Sequence, residues 1–378
     1  MPAKHNTQIN NQSYYRVTAT IGHTSAGAPI RKQFYGASKK EAEAKRDEYL
    51  SHINQGLTVG FDKLTFGAAF DAWFEDVLRP SVSLTSYARY EKDYRLRIRG
   101  CALSAMRLID IKAVHVQGFY NGLLELHTVN TVRNTHKLIT NFVGYCIKAD
   151  ILVKNPLLAV QLPKSRTSDN EVKPLSSADV DRLIEHATAS PDAFIYAFAV
   201  LTGLRRGELL ALTHGDIDIE KDRIHVTKSV SHMTVDGVYS AVLTPTKTLS
   251  SVRDVPILGN LMPLLLAHIN SEKRKHLRTG VPLAADSVLF SSATCGYRDA
   301  RNVLRGLQRL YKRLGMPETT MHALRHTFCT ILAEKGVPLK TASVLMGHSN
   351  ISITAQIYTH VDEDEKKRAI EKLAAHFH

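Results

Sequence analysis

Paired cysteines are missing from this sequence. Cys101, Cys146, Cys295 and Cys329 are the only four in 378 residues, and they stand far apart with no CxxC pair. That disfavours both a disulfide framework and a cysteine-built zinc site, and fits free thiols in a reducing cytosol. No apolar run approaches the roughly 18 residues needed to span a bilayer. The first residues, MPAKHNTQINNQS, lack the apolar core of a signal peptide. A cytoplasmic chain without a membrane partner is therefore expected. No GxxxxGKS, GxGxxG or heptad array occurs, which leaves a nucleotide-driven motor without support. HALRH, from His322 to His326, carries no Glu between its histidines to serve as a metalloprotease base, so zinc is disfavoured. Acid is also missing from the start of the chain. Up to position 40 the only ionised residues are Lys4, Arg16, Arg31, Lys32, Lys39 and Lys40.

What is present is positive charge on an otherwise ordinary globular composition. Hydrophobic residues make up 44% and charged residues 22%, but 49 Lys and Arg face 36 Asp and Glu, a net +13. An excess of that size points to a polyanion, nucleic acid before membrane. The length allows two or three domains. Residues 1–60 form the first, a small α+β module. SYYRVTATIG and PIRKQFYG alternate as strands across the HTSAGA turn, and Ser38 caps a helix over SKKEAEAKRDEYLSHI. Arg16, Arg31 and Lys32 are its candidate DNA contacts; a solvated basic hairpin is the plain alternative.

Residues 61–162 are expected to be all-α. Thr65 caps FGAAFDAWFEDVLRP, where Phe66, Phe70, Trp73, Phe74 and Val77 share a helical face that belongs in a core, and Pro80 ends the helix. TSYARYEKDYRLRIRG interleaves aromatic and basic residues. Its Arg89, Lys92, Arg95, Arg97 and Arg99 suit a face lying along phosphates, or else an ordinary surface of snorkelling side chains. AVHVQGFYNGLLE and TVNTVRNTHKLITNFVGYCIKAD complete the helical unit. Residues 163–174, polar and without periodicity, form a linker. Residues 175–361 form a mixed, mainly helical domain with short strands at DRIHVTKSV, GVYSAVLTP and VRDVPIL, and 362–378 a charged amphipathic helix.

The chemistry-bearing residues gather in that last large domain. Arg205 begins a helix in TGLRRGELL, where a guanidinium and backbone N–H groups can face one anion. Lys247 sits in TPTKTLSSVRDVPI, at a hairpin tip from which a lysine could hand a proton to a leaving oxygen; a plain surface lysine is the alternative. His322 and Arg325 are three apart and share a helical face. His348 lies in LMGHSN at a helix end, and Tyr358 follows in TAQIYTH. A phenol with a pKa of about 10 needs positive charge nearby to attack at neutral pH. Each residue alone has a structural explanation; the set suits an oxygen nucleophile attacking a phosphodiester.

TGLRRGEL, then TKT with SVRDVPI, then HALRH, then LMGHSNISITAQIYTHV, in this order, closely resembles the tyrosine recombinase family over most of 172–361. The resemblance implies that fold, with Arg205, Lys247, His322, Arg325 and His348 as activating residues and Tyr358 as nucleophile. Glu208 matches the family's acidic residue after the first arginine and would orient its neighbours. The layout is similar to phage and conjugative-transposon integrases, with an arm-type module (three strands plus a helix) ahead of a core-binding domain. It implies a 3′-phosphotyrosyl intermediate, a Holliday junction, and no need for a cofactor, ATP or metal. Double-stranded DNA with core and arm sites, a homotetramer, an excisionase and a host DNA-bending protein are the implied partners, on the nucleoid of a bacterial cell. The helix 362–378, with Ile370, Leu373 and Ala374 on one side, would dock on a neighbouring protomer or on its own domain. Two other functions stay open at this stage: a type IB-like topoisomerase, and a non-catalytic DNA-binding regulator on the same scaffold.

Overall fold

The structure, a computed structural model, describes residues 7–9, 12–23, 29–54, 63–163, 173–235, 237–245 and 251–358. It divides into two compact units, Met1–Ser168 and Asp169–His378.

In the first unit, β1 (Thr7–Ile9), β2 (Gln12–His23) and β3 (Pro29–Gly36) pair antiparallel in that order, and α1 (Lys39–Asn54) packs against β2 and β3. Ser38 starts α1 by accepting from the Glu41 N–H at 3.1 Å, while Glu41 reaches back to the Ala37 N–H at 2.9 Å. Strand alternation decides where the basic residues lie. Arg16 and Arg31 are exposed, and the register sets them opposite Tyr35 and Thr20, on one face. Lys32 falls in the opposite phase, on the α1 side, with its ammonium 3.8 Å from the centroid of the Tyr49 ring. Phe34 is buried there against the same Tyr49.

The helical part follows. Thr65 accepts from the Ala68 N–H at 3.2 Å and starts α2 (Phe66–Trp73). A π-helical turn (Phe74–Leu78) carries the chain into the single turn α3 (Arg79–Ser81), so Pro80 lies inside the last turn rather than at its edge. The first turn of α3 needs no N–H from Pro80, which is why the ring is tolerated there. α4 (Leu84–Asp93) passes through a second π-helical turn, Tyr94–Ile98, and α5 (Ala113–Leu126) and α6 (Val129–Lys148) close the unit. Phe66, Phe70, Trp73 and Phe74 are buried as the spacing requires, packed on Phe142 and Tyr94; Val77 is only partly covered. The chain leaving this unit is held by Arg133, which donates to the Pro163 carbonyl at 3.0 Å, and by a two-way bond between Gln117 and Gln161.

The second unit is built on α8 (Phe194–Thr202), a helix buried over nearly its whole surface. α7 (Ser177–Ala189), capped by Ser176, packs on it from one side. α9 (Arg206–Ala211) follows directly. DRIHVTKSV does not form one strand: it breaks at Thr227 into β5 (Arg223–Val226) and β6 (Lys228–Val235). β5 lies between β4 (Ile217–Asp218) and β8 (Arg253–Pro256), while β6 pairs with β7 (Val238–Pro245) as a separate hairpin. The hairpin closes between Val235 and Val238, and Lys247 lies between β7 and β8, outside the described residues. α10 (Met262–Thr279), α11 (Ala300–Leu314), α12 (Met321–Glu334), α13 (Leu339–Met346) and α14 (Ile351–Tyr358) complete the unit; α12 packs on α8, α13 and α14. Among the described residues no helix is long and apolar enough to cross a membrane. Positions 359–378, including the amphipathic tail, lie outside them.

Candidate active site

The site forms where two helices stop. α8 ends at Gly203 and α13 at Gly347, both in the left-handed region, with φ of 63° at each. The last carbonyls of a helix have no partner within it and carry the negative end of its dipole, so they attract cations. Here they attract arginines. Three consecutive carbonyls at the end of α13 each take a guanidinium: Leu345 from Arg253 Nε at 2.7 Å, Met346 from Arg325 Nη2, and Gly347 from Arg205 Nη2 at 2.5 Å. Arg325 also donates through Nη1 to the Gly203 carbonyl at 2.7 Å, tying the two helix ends together.

One carboxylate sits among these cations. Glu208 is 2% exposed, and all four bonds that its oxygens can accept are filled. Oε1 accepts from Arg205 Nη1 at 2.7 Å and Arg253 Nη1 at 3.3 Å. Oε2 accepts from the Arg205 backbone N–H and Arg253 Nη2, both at 2.9 Å. Burial alone would raise its pKa, but the bonds and charge of Arg253, then those of Arg205, outweigh it and hold the carboxyl below its ordinary range. With three guanidiniums against one carboxylate, the cluster keeps two positive charges in excess.

That excess governs the histidines. His348, half-buried, is pushed down to about 4 by burial and then by Arg325, Arg205 and Arg253. His322, exposed on the first turn of α12, is also lowered, by desolvation and then by Arg325 and Arg205. Both rings are therefore neutral at pH 7. His348 Nδ1 lies 2.8 Å from the hydroxyl of Thr354, a fully buried residue of α14. Arg325 itself is brought down to about 9, by burial first and the neighbouring arginines next, and stays charged at neutral pH. Such a cluster, short of negative charge and holding two neutral imidazoles, is suited to an anion.

Arg205, Glu208, His322, Arg325 and His348 are thus brought together. Tyr358 ends α14, and its hydroxyl donates to the Val337 carbonyl at 2.9 Å, in the turn between α12 and α13. Arg206 is exposed and faces elsewhere, its charge being felt by His232 on β6. Arg253, within SVRDVPI, joins the cluster without having been expected there. Its signal was strand phase: Arg253 takes the inward position shared by Val255 on β8, where a charge must have a buried partner. In the first unit Arg89, Lys92, Arg95 and Arg99 are exposed, with Arg89 4.8 Å over the Tyr90 ring and Arg95 2.9 Å from Glu91. Arg97 differs, being largely buried and paired with Asp93. Among the described residues no group of three His, Cys, Asp or Glu side chains is placed to hold a metal ion.

The fold and this arginine-rich centre define a helical unit with small antiparallel sheets and a cationic cluster at the junction of two helix ends. Residues 173–365 match the phage integrase family, and 65–124 match the N-terminal SAM-like domain of phage integrases. The chain is 36% identical to a XerC-like tyrosine recombinase of Caldanaerobacter subterraneus over 99% of both chains. It is 26% identical to the transposase of transposon Tn916 of Enterococcus faecalis, over 89% of this chain and 82% of that one. Among solved structures, the Tn1549 transposon integrase in complex with transposon right-end DNA superposes with a TM-score of 0.68 at 25% identity, covering 82% of this chain and all of that one. The chain belongs to the phage integrase family of tyrosine recombinases and has their fold, a recombinase enzyme by descent.

Proposed function

We propose that the protein is a site-specific DNA recombinase that integrates and excises a mobile element through a 3′-phosphotyrosine intermediate. The observation that carries this reading is the two-charge cationic excess around Glu208, beside two neutral histidines, in the unit that also carries Tyr358. A scissile phosphate would be held by Arg205 and Arg325 and receive hydrogen bonds from His322 and His348. With the Thr354 hydroxyl donating to Nδ1, His348 presents an N–H at Nε2. Tyr358 exchanges its bond to Val337 for the phosphate and attacks phosphorus. The new P–O bond forms as the bond to the 5′-oxygen breaks, the phenol passes its proton to the neutral imidazole of His322, and the leaving oxygen takes one, a role assigned to Lys247. The 5′-hydroxyl of a partner duplex then reverses the step, giving a Holliday junction within a tetramer. The charge of the guanidiniums supplies the stabilisation that a metal would otherwise give.

Residues 1–60 are assigned to arm-type sites through Arg16 and Arg31, and 61–162 to core sites through Arg89, Lys92, Arg95 and Arg99. The transposon proteins among the relatives favour a mobile element as the DNA moved. Site dependence tests the reading. Joined element ends and a target should recombine without ATP or metal, whereas a plasmid lacking those ends should keep its supercoils. Relaxation of the plain plasmid at the same rate would favour a topoisomerase.

A further inference from the structure

We propose that Arg253 is a positioning residue of this site, fixing Glu208, the Leu345–His348 turn and Ser251 in one arrangement. The inference rests on the reading of the cluster as the phosphate site, and extends it to a residue that never meets the phosphate. Arg253 is 8% exposed, and each of its three side-chain nitrogens already donates within the protein. Nε donates to the Leu345 carbonyl at 2.7 Å, and Nη2 to Glu208 Oε2 at 2.9 Å. Nη1 is shared between Glu208 Oε1 at 3.3 Å and the Ser251 carbonyl at 3.1 Å.

Those acceptors belong to three separate pieces of chain. Glu208 is the residue that holds Arg205. Leu345 starts the turn that presents His348. Ser251 is the first described residue after 246–250, the stretch that contains Lys247. One planar side chain therefore sets three parts of the site against one another. β8 makes this possible: its pairing with β5 places Arg253 opposite Val226 and turns the side chain inward.

Gly347 completes the fit. A Cβ there would lie 2.8 Å from Arg253 Nη1 and about as close to the rest of the guanidinium, at 3.1 Å from Cζ. The left-handed φ of 63° and the approach of Arg253 thus both require glycine at the same residue. Lysine could not replace the arginine. A single ammonium has no equivalent of Nε and cannot serve Leu345 and both oxygens of Glu208 together.

Two variants reach the contact from opposite sides, Arg253→Lys and Gly347→Ala, with Arg253→Gln as the variant that removes the charge. Each full-length protein is measured for melting temperature, affinity for core-site DNA, and rate of covalent cleavage of nicked DNA against pH. Arg253→Lys should stay folded and bind DNA within about threefold of wild type. Its cleavage should be slower by about 10²-fold, the effect expected of small misplacement in a preorganised site. Gly347→Ala should reproduce that pattern. In Arg253→Gln, the His348 imidazole followed by NMR should titrate at higher pH than in wild type, a readout that needs no activity. Wild-type cleavage by Arg253→Lys would overturn the proposal. So would a loss that only tracks the unfolded fraction, or one matched by an equal loss of affinity, which would mean direct contact with phosphate. An unmoved His348 titration would overturn it as well. Failure of wild type itself to cleave would instead count against the proposed function, while the NMR comparison would still decide the placement of Arg253.

Discussion

At the scale of the residue, the buried Glu208 accepts four hydrogen bonds from two arginines. Removing its charge leaves Arg205 and Arg253 facing each other without a counterion. Glu208→Gln should cost about 3–5 kcal/mol in urea unfolding, the range for breaking one side of a buried pair. His348 makes a second prediction. Its pKa is 6.5 in an unfolded chain and about 4 when folded. Between those values the unfolded chain binds a proton that the folded one refuses, so stability should fall as pH drops from 6.5 to 4. In His348→Gln that part of the slope should flatten; an unchanged slope would show that the arginines do not act on this ring. Arg205, Glu208, His322, Arg325 and His348 were legible because each stands in a compact motif. Arg253 was not, because beside Asp254 in one dimension it looks like a surface charge. Only the register with β5 turns it inward toward Glu208, 45 positions earlier.

At the scale of the element, the arginines are organised by the ends of α8 and α13, and backbone carbonyls leave no mark in a sequence. The glycines that end those helices do. Gly203, Gly315 and Gly347 have nearly the same φ, 63°, 62° and 63°, yet their surroundings differ. A Cβ at Gly203 would lie 2.2 Å from Phe328 Cδ1, whereas one at Gly315 would meet nothing within 4 Å. Gly315→Ala should therefore cost only the left-handed backbone term, about 1–2 kcal/mol. Gly203→Ala should cost clearly more, because Phe328 must move as well; equal losses in thermal melts would contradict that difference. Helix caps and apolar spacing made Ser38, Thr65 and the stripe from Phe66 to Phe74 readable in advance. The break at Thr227 was not, since β5 and β6 are each apolar enough to read as one strand, and they separate only because their partners lie in different sheets. The π-helical turns on either side of Pro80 and Asp93 were hidden for a similar reason: one extra residue per turn leaves the apolar stripe nearly unchanged.

At the scale of the whole molecule, the net +13 and the placement of exposed cations make a statement about DNA. Binding to core and arm sites should weaken steeply with salt, log K falling by about 0.9 per tenfold rise in salt for each phosphate neutralised. Flat affinity between low and moderate salt would contradict the assignment of Arg16, Arg31, Arg89, Lys92, Arg95 and Arg99. Deleting residues 1–60 should spare cleavage of core-site DNA and abolish recombination that depends on arm sites. Loss of core cleavage would show that this module does something else. The central claim, however, is covalent chemistry at Tyr358. It is tested most directly with a nicked suicide DNA bearing the element's own end, incubated with EDTA and without ATP, and run on a denaturing gel beside the Tyr358→Phe protein. A covalent protein–DNA band in wild type alone is the predicted result. Tight binding of that DNA with no band, or a band that survives Tyr358→Phe, would contradict it.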